Sequence, residues 1–314
     1  MTKTAVVAIG GNSLVRDKEH QSVPDQFATT DETCVHIAEM IKQGWRVVVT
    51  HGNGPQVGFI LLRSELASNV LHTVPLDSCG ADTQGALGYM IQQLLGKRLR
   101  RADADIPVVT VVTQVVVDGD DPAFRNPTKP IGPFYDEDRA RHYERTEGWA
   151  IVEDAGRGWR RVVPSPIPME IVELEAIRTL LEAGFVVVGV GGGGIPVVRD
   201  EQGDLQGVEA VIDKDYASSL LATGLEADLF LISTAVEKVY LNYGKPDQRP
   251  LDHLTVEEAR QYLEGGHFPP GSMGPKIRAV VQFMERGGSE ALITSPENLA
   301  RALRGETGTR ITLA

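Results

Sequence analysis

Hydrophobic residues along the chain gather in short continuous runs instead of alternating with polar ones. Six of these runs predict β-strands, because they are rich in β-branched residues and end at turn residues: 5–9, 45–50, 106–117, 185–190, 228–233 and 290–294. Continuous apolar runs are typical of strands that are covered on both faces, as in a parallel sheet. The pattern therefore predicts a mainly parallel sheet buried between other layers.

Segments with apolar residues at helical spacing separate these strands. They predict helices over 25–43, 55–69, 80–100, 169–183, 215–223, 255–264, 274–286 and 296–303. Gly44 and Gly184 directly follow two of these segments, where a glycine commonly ends a helix. The alternation of strands and helices predicts an α/β fold with an open sheet sandwiched between helices, and it excludes an all-α or all-β protein. We interpret residues 1–314 as a single domain.

Residues 119–161 interrupt this alternation. The segment combines prolines, charges and aromatic residues without a sustained helix-period face, and the apolar-turn-apolar pattern near its end predicts a β-hairpin. A long surface excursion is one interpretation. Structureless loops of this length are uncommon in compact domains, which favours the other interpretation, a small lid-like subdomain that projects from the main sheet.

Composition and charge narrow the class of protein. Apolar residues make up 42% of the 314 residues and charged residues 24%, as in an ordinary soluble globular protein. No stretch approaches the ~20 uninterrupted apolar residues of a membrane helix. The chain enters its first strand without a signal-peptide pattern, so we expect a cytoplasmic location and no membrane partner. The net charge of −12 argues against a general nucleic-acid surface.

The sequence contains two cysteines, Cys34 and Cys79. Two are too few for a disulfide scaffold, and they lack the CxxC spacing of a zinc site. We therefore interpret both as reduced, mostly buried thiols.

Three glycine-rich turns directly follow predicted strands: IGGN at 9–12, THGNG at 50–54 and GVGGGG at 189–194. Ligands of an open parallel sheet bind at the carboxyl ends of its strands, where backbone N–H groups and helix N-termini favour an anion. No P-loop motif is present, and the strand-like stretch after the third turn makes a dinucleotide fingerprint weak. The turns predict one shared anion pocket, with phosphate as the natural ligand.

Three lysines have settings that suit phosphoryl transfer, which needs cations around the transferred group. Lys129 lies in a stiff, proline-rich stretch, and Lys276 begins a predicted helix behind a Gly-Pro pair. Lys214 lies between Asp213 and Asp215 at a predicted strand-to-helix junction. From spacing alone, solvated surface lysines remain an equal alternative.

Eight motifs, in their order along the chain, resemble those of the amino acid kinase family, in particular its carbamate kinase branch. They are IGGN, THGNGPQVG, PLDSCGADTQG, NPTKPIGPFY, VPSPIP, GVGGGGIPV, GVEAVIDKD and GSMGPK. The resemblance extends over about residues 5–294, and NPTKPIGPFY and GVEAVIDKD are its most specific parts. It implies a three-layer αβα sandwich and the reversible transfer of a phosphoryl group between ATP and carbamate, with Mg²⁺.

The resemblance also implies roles for individual residues. The carbamate and transferred-phosphate end would be lined by Gly10, Gly11, Asn12, Gly52, Asn53 and Gly54, and completed by Gly191, Gly192, Gly193 and Gly194. The catalytic group would consist of Lys129, Lys214 and Lys276, oriented by Asp215. The nucleotide would lie near Ser233, Thr234, Ala235, Val236, Tyr240, Met273, Gly274 and Pro275. No protein metal ligand is expected, because Mg²⁺ would bind the nucleotide phosphates.

One position departs from the pattern of many other amino acid kinases, which carry a lysine two residues before the first Gly-Gly. Here that residue is Ala8. Lys129 is the candidate to supply the missing charge, which favours carbamate kinase over acetylglutamate, aspartate or glutamate kinase. Carbamate is already anionic and needs no general base, so we interpret His51, beside the second glycine turn, as a residue that shapes the turn.

Two alternatives stay open: another small-acid kinase of this fold, and a non-catalytic protein that senses nucleotides. The resemblance also implies a homodimer and ATP formation from carbamoyl phosphate and ADP in arginine catabolism. The predicted helix around 77–100 is a candidate interface, and buried core explains its apolar residues equally well.

Overall fold

A computed structural model describes residues 2–17, 19–154, 156–269 and 271–313. Its strands are β1 (Thr4–Ile9), β2 (Arg46–His51), β3 (Val108–Thr110), β4 (Gln114–Val117), β5 (Lys129–Tyr135), β6 (Ala150–Glu153), β7 (Trp159–Val163), β8 (Pro168–Ile171), β9 (Val186–Val188), β10 (Ile195–Arg199), β11 (Leu205–Gly207), β12 (Leu229–Ser233), β13 (Val239–Leu241), β14 (Arg249–Leu251), β15 (His253–Thr255), β16 (Ala291–Thr294) and β17 (Thr309–Thr312). Its α-helices are α1 (Val23–Lys42), α2 (Gly54–Leu66), α3 (Leu76–Arg101), α4 (Glu137–Glu147), α5 (Leu174–Glu182), α6 (Lys214–Gly224), α7 (Val256–Glu264), α8 (Met273–Glu285) and α9 (Leu299–Leu303).

The central sheet has the strand order β15-β17-β16-β12-β1-β2-β9-β3 over the described residues. Its pairs are parallel, except that β16 and β17 run antiparallel. The continuous apolar runs of β1 and β12 are buried along their whole length. The prediction of a mainly parallel, doubly covered sheet is therefore confirmed.

Helices cover both faces of the sheet. Alternate residues of β1 divide between two cores: Val6 and Ala8 belong to one, and Val7 and Ile9 to the other. The first core includes buried side chains of α5, α6, α7 and α8, and the second includes those of α1, α3 and α9. The fold is thus the predicted three-layer αβα sandwich, and Ala8 is fully buried within its core.

Two predicted elements were wrong at their boundaries. The apolar run 106–117 forms two strands, β3 in the central sheet and β4 in a second sheet of order β11-β10-β4-β8. The chain turns between them because the Gln84 side chain holds both the N–H and the carbonyl of Thr113. The predicted helix 169–183 begins only at α5, since its first residues form β8 and pair with β4.

The segment 119–161 contains β5, α4, β6 and most of β7, and the strands form an antiparallel sheet of order β5-β7-β6. The predicted hairpin is present as β6 and β7. Helix α4 was not predicted, because Ala140 is its one buried described residue and a single buried residue gives no apolar period. Its signals are caps: Asp136 accepts a hydrogen bond from the Arg139 N–H, and Gly148 ends the helix at φ +67°.

We call the main αβα sandwich the body. The sheet β5-β7-β6 packs on helix α2 of the body. Ile131 of β5 and Val163 of β7 pack in a small core with Val57 of α2 and Leu76 of α3. We call residues 129–163 the subdomain. Its base therefore packs on the body.

The structure also bears on the predictions about the two cysteines and about membrane-spanning helices. Cys34 and Cys79 are both buried free thiols, and burial raises the pKa of Cys34 to about 12. In the described part of the chain, no helix combines the length and apolarity needed to cross a membrane.

Candidate active site

A cavity of about 320 Å³ opens at the carboxyl ends of β1 and β2, between the body and the subdomain. Three groups of residues form most of its wall. The glycine turns contribute Gly11, Gly52, Asn53, Gly54 and Gly192; the body helices and the residues before them contribute Asp213, Lys214, Asp215, Ser272, Pro275 and Lys276; and the subdomain contributes Lys129, Pro130, Ile131 and Arg160. We call this space the anion cavity.

Asp215 is the centre of the charged groups on the body side. Its side chain is 4% exposed, and its two oxygens accept from the Lys214 Nζ at 2.6 Å and the Lys276 Nζ at 3.0 Å. Burial alone would raise the pKa of Asp215, but the two ammonium groups outweigh burial and hold that pKa below its ordinary value. The predicted catalytic residues of the body therefore form one ion-paired cluster.

Asp213 connects this cluster to the subdomain. It caps α6, since its Oδ1 accepts from the Asp215 N–H at 2.9 Å. Its Oδ2 accepts from the Lys129 Nζ at 2.7 Å. Lys129 begins β5, so this ion pair brings the third predicted lysine to the anion cavity from the opposite wall.

The ends of three helices add to the positive potential. Helix α2 begins at Gly54, α6 begins at Lys214 and α8 begins at Met273, and residues at each of these starts line the anion cavity. Unpaired N–H groups and the helix dipole favour anions at such ends. Among the described lining residues, four cationic side chains face two carboxylates, so the cavity suits a multiply charged anion.

The predicted residues of the three glycine turns fall into two groups. Those that line the anion cavity are Gly11, Gly52, Asn53, Gly54 and Gly192. Those that are absent from its described lining are Gly10, Gly191, Gly193 and Gly194. The side chain of Asn12, also predicted here, lies outside the described residues.

Close packing of the protein on itself explains the glycines that do not reach the cavity. A Cβ on Gly191 would lie 2.4 Å from the His51 Nε2, and one on Gly193 would lie 2.5 Å from the Ile212 carbonyl oxygen. Gly193 also has φ +97°, which disfavours other residues. Among the described residues, Gly192 is the glycine of the third turn that lines the anion cavity, and the phosphate-binding role expected for Gly191, Gly193 and Gly194 stays a prediction.

His51 is a buried wedge between the second and third glycine turns. Its Nδ1 lies 3.1 Å from the Gly52 carbonyl oxygen, and its Nε2 faces Gly191. Burial, opposed by that hydrogen bond and reinforced by the charge of Lys214, lowers the pKa of His51 to about 4. His51 is therefore neutral at pH 7, as expected of a residue that shapes a turn.

The third turn also contains strain that the sequence did not reveal. Val190 has φ +51°, which is costly for a β-branched residue. The Thr113 hydroxyl accepts from its N–H at 3.0 Å, and the Gln84 amide donates to the Gly191 carbonyl at 3.0 Å. Side chains from distant segments thus hold the turn in place.

A second cavity, of about 220 Å³, adjoins the first on the side of β12 and α8. Of the predicted nucleotide residues, it is lined by Thr234, Ala235, Val236, Tyr240 and Met273. Tyr243, Pro269 and Ser272 line it as well, and of these Pro269 and Ser272 were missed. Ser272 and Lys276 line both cavities, so the two form a continuous cleft.

The three remaining predicted nucleotide residues have other positions. Ser233 is fully buried, and its carbonyl accepts from the Gly10 N–H at 3.1 Å. Gly274 lies at the start of α8, where its N–H donates to the Pro269 carbonyl. Pro275 lines the anion cavity.

Arg160 is a lining residue that sequence reasoning missed. It lies on β7 and reaches the anion cavity from the subdomain side. The neighbouring Arg157 and Arg161 have similar sequence surroundings, so no local signal distinguished Arg160. Its position follows from the pairing of β5, β6 and β7.

A third cavity, of about 450 Å³, lies at the subdomain base and is lined by residues of α2, β5, α4 and β7. Glu65 of α2 lies in its wall and is largely buried. Its carboxylate accepts from the Tyr135 hydroxyl at 2.9 Å and also contacts Arg139 and Tyr143. One carboxylate of the body therefore holds three side chains of the subdomain.

Both carboxylates that line the anion cavity form ion pairs with lysines. Asp213 pairs with Lys129, and Asp215 pairs with Lys214 and Lys276. Across the ranges that the structure describes, no group of three or more His, Cys, Asp or Glu residues could hold a metal ion.

Comparisons with known proteins find relatives over almost the whole chain. The model of the amino acid kinase family matches residues 3–295. A carbamate kinase-like protein of Escherichia coli (strain K12), YahI, is 52% identical over 99% of both chains, and the carbamate kinase of Thermococcus kodakarensis is 48% identical over 98% of this chain and 99% of its own. The structure of carbamate kinase from Giardia lamblia bound to AMP-PNP has a TM-score of 0.93 and 43% identity, over 99% of this chain and 98% of that one.

Proposed function

Because the chain belongs to the amino acid kinase family, we propose that it is a carbamate kinase, an enzyme that transfers a phosphoryl group reversibly between ATP and carbamate. One observation carries the proposal at the level of residues. The ammonium groups of Lys214 and Lys276 share Asp215, and Lys129 faces them across the anion cavity from the subdomain. This arrangement suits the charge that a transferring phosphoryl group spreads over its oxygens.

The chemistry requires positioning and charge stabilisation, with no proton abstraction. In the ATP-forming direction, a terminal β-phosphate oxygen of ADP forms a bond to the phosphorus of carbamoyl phosphate. The bond from that phosphorus to the carbamate oxygen breaks, and carbamate leaves as an anion. Lys214, Lys276 and the helix N-termini would stabilise the oxygens of the transferred group. Such a reaction needs no histidine base, in keeping with the buried, neutral His51.

We propose that the nucleotide lies in the 220 Å³ cavity and extends its phosphates past Ser272 and Lys276. The carbamoyl group then lies toward the subdomain wall of the anion cavity. Mg²⁺ would enter as part of the nucleotide substrate and neutralise phosphate charge. Tyr240 and Tyr243, whose ring centroids are 5.9 Å apart, offer an aromatic wall for the base.

We propose that the subdomain, which overlaps the predicted segment 119–161, acts as a lid. Lys129 and Arg160 belong to it, so the wall of the anion cavity is complete only while the subdomain is docked on the body. A docked lid would exclude water, which decomposes carbamate and carbamoyl phosphate. The contacts of Glu65 give the lid a defined resting position.

We further propose a cytoplasmic homodimer that forms ATP in arginine catabolism, with α3 as the candidate interface. Helix α3 contributes Leu87, Ile91 and Leu95 to the core and exposes the Tyr89 side chain. It can therefore contribute to the core and to an interface. Sedimentation of the wild type against Tyr89→Glu tests the interface, because the charge should shift a dimer on α3 toward monomer.

The proposed reaction is tested by coupled assays of the full chain. We expect ATP from ADP and carbamoyl phosphate when Mg²⁺ is present and loss of activity when it is removed with a chelator. In the reverse direction, carbamate should support ADP formation, and glutamate and acetylglutamate should not. Turnover with one of those acids instead would identify another small-acid kinase. Nucleotide binding without any turnover would identify a sensing protein.

A further inference from the structure

Arg160 has a setting unlike that of the three lysines of the anion cavity. Its Nη2 donates to the Gly132 carbonyl at 3.2 Å, and its Nη1 lies 3.5 Å from an oxygen of Asp154. The guanidinium carbon lies 5.2 Å from the centroid of the Phe134 ring. These contacts, all with residues of the subdomain, fix the orientation of the guanidinium plane.

Arg160 keeps donors beyond those that these contacts use. An arginine side chain has five N–H donors, and the contacts with Asp154 and Gly132 take one from each terminal nitrogen. Its Nε is buried within the protein, so a ligand would be met by the terminal nitrogens. Because Arg160 lines the anion cavity, an anionic or carbonyl oxygen bound there fits their remaining donors.

The position of Arg160 indicates which part of the substrate it meets. Lys276 lines both the anion cavity and the nucleotide cavity, whereas Arg160 lines the anion cavity from the subdomain wall. The group nearest that wall is the carbamoyl end, if the nucleotide lies as proposed above. A guanidinium group matches planar oxygen pairs better than a lysine does, because its donors are held in a rigid fork.

We propose that Arg160 binds the carbamoyl end of the substrate: the carbonyl oxygen of carbamoyl phosphate and the carboxylate of carbamate. This inference rests on the proposed function. Lys214 and Lys276 then serve the transferred phosphoryl group, and Arg160 sets the affinity for the small substrate. No covalent step is assigned to Arg160.

The chain offers a matched control in Arg157. It pairs with Asp154 at 2.6 Å, and its guanidinium carbon lies 5.1 Å from the Phe134 centroid, so it shares two of the three supports of Arg160. Arg157 is absent from the described lining of the anion cavity. Replacing it therefore removes one positive charge beside Asp154 and Phe134 without removing the proposed ligand contact.

The experiment measures saturation curves for carbamoyl phosphate and for ADP with wild type, Arg160→Gln, Arg160→Lys and Arg157→Gln. Arg160→Gln should raise KM for carbamoyl phosphate about tenfold to hundredfold, as expected for a lost charge-assisted contact, with a smaller change in kcat. KM for ADP should stay within about twofold. Arg160→Lys should recover only part of the affinity, and Arg157→Gln should resemble wild type.

Each outcome decides between two claims. Active wild type and Arg157→Gln, combined with an unchanged KM for carbamoyl phosphate in Arg160→Gln, would overturn the inference alone. An equal rise in KM for both substrates, or an equal effect of Arg157→Gln, would overturn it as well, because it would indicate a purely structural role. Absence of ATP formation in wild type and Arg157→Gln would overturn the proposed function and with it the inference.

Discussion

The cations of the body and those of the subdomain are held in different ways. Lys214 and Lys276 share one buried carboxylate, and their side chains are 14% and 16% exposed. Lys129 and Arg160 pair with separate acids and are 33% and 21% exposed. Charge interactions are stronger where water is excluded. We therefore expect the body pair to serve the transferred phosphoryl group from a fixed position, and the subdomain pair to depend on docking.

This difference allows one cleft to combine a rigid wall, on the body, with a wall that can open to admit substrates, on the subdomain. The body side is built on helix starts and on turns that pack tightly against each other, as Gly191 does against His51. The subdomain side is attached by a small core and by side-chain contacts such as those of Glu65. We expect substitutions on the body to lower turnover most, and those on the subdomain to affect the small substrate without affecting the nucleotide.

The largest effect should come from the body lysines. Lys214→Ala and Lys276→Ala should each lower kcat by about two to three orders of magnitude, the scale for one lost preorganised contact in the transition state. Asp215→Asn should keep the shape and lower mainly turnover, because the lysines lose their shared anchor. Steady-state assays with purified proteins measure this, and thermal unfolding checks the fold. Turnover near the wild-type rate in a lysine variant would contradict its catalytic role.

The second prediction concerns His51 and the pH dependence of the free energy of unfolding. The pKa of His51 is lowered from 6.5 to about 4, so the unfolded chain takes up this proton first as pH falls. The stability that this group contributes is present above pH 6.5 and is lost as pH falls toward 4. The loss between pH 7 and pH 5 should be about 2 kcal/mol.

Urea unfolding at the two pH values tests this expectation. The difference should shrink by about 2 kcal/mol in His51→Asn and keep its wild-type size in a control at an exposed site, His72→Gln. An NMR titration of His51 that gave an ordinary pKa near 6.5 would contradict the account.

The subdomain lysine should give the next effect. Lys129→Ala should lower turnover about tenfold to hundredfold, because the cavity loses a charge that Asp213 had fixed. Ala8 is no substitute for this position, since it is fully buried in the core and is absent from the described lining of the cavity. A Lys129→Ala enzyme with ordinary turnover would show that the body alone completes the site.

The smallest effect should come from the attachment of the subdomain. Glu65→Gln weakens the acceptor for Tyr135, Tyr143 and Arg139, so the docked position should be populated less. We expect KM for carbamoyl phosphate to rise about threefold to tenfold, on the scale of one weakened hydrogen bond. Glu147→Gln, an exposed change at the same 450 Å³ cavity, is the control and should resemble wild type. An equal effect in both variants would contradict the claim that Glu65 stabilises the docked position of the subdomain.

The sequence predicted those parts of the molecule that depend on local pattern. The strands at 5–9 and 228–233 follow from apolar runs, and the three lysines follow from motifs that keep their order. The break inside 106–117 could not be predicted, because Gln84 from a distant helix imposes it. The packing of Gly191 on His51 and the approach of Arg160 also depend on segments that meet only after folding.

Calorimetric titration of ADP with Mg²⁺ into Lys129→Ala and Lys276→Ala tests the division between body and subdomain most directly. Lys276 lines both cavities, whereas Lys129 lines only the anion cavity among those described. The account predicts that Lys129→Ala binds ADP within about twofold of wild type, and that Lys276→Ala binds it at least about tenfold more weakly, as for a lost contact to charged phosphate. Equal weakening in both variants would contradict the division.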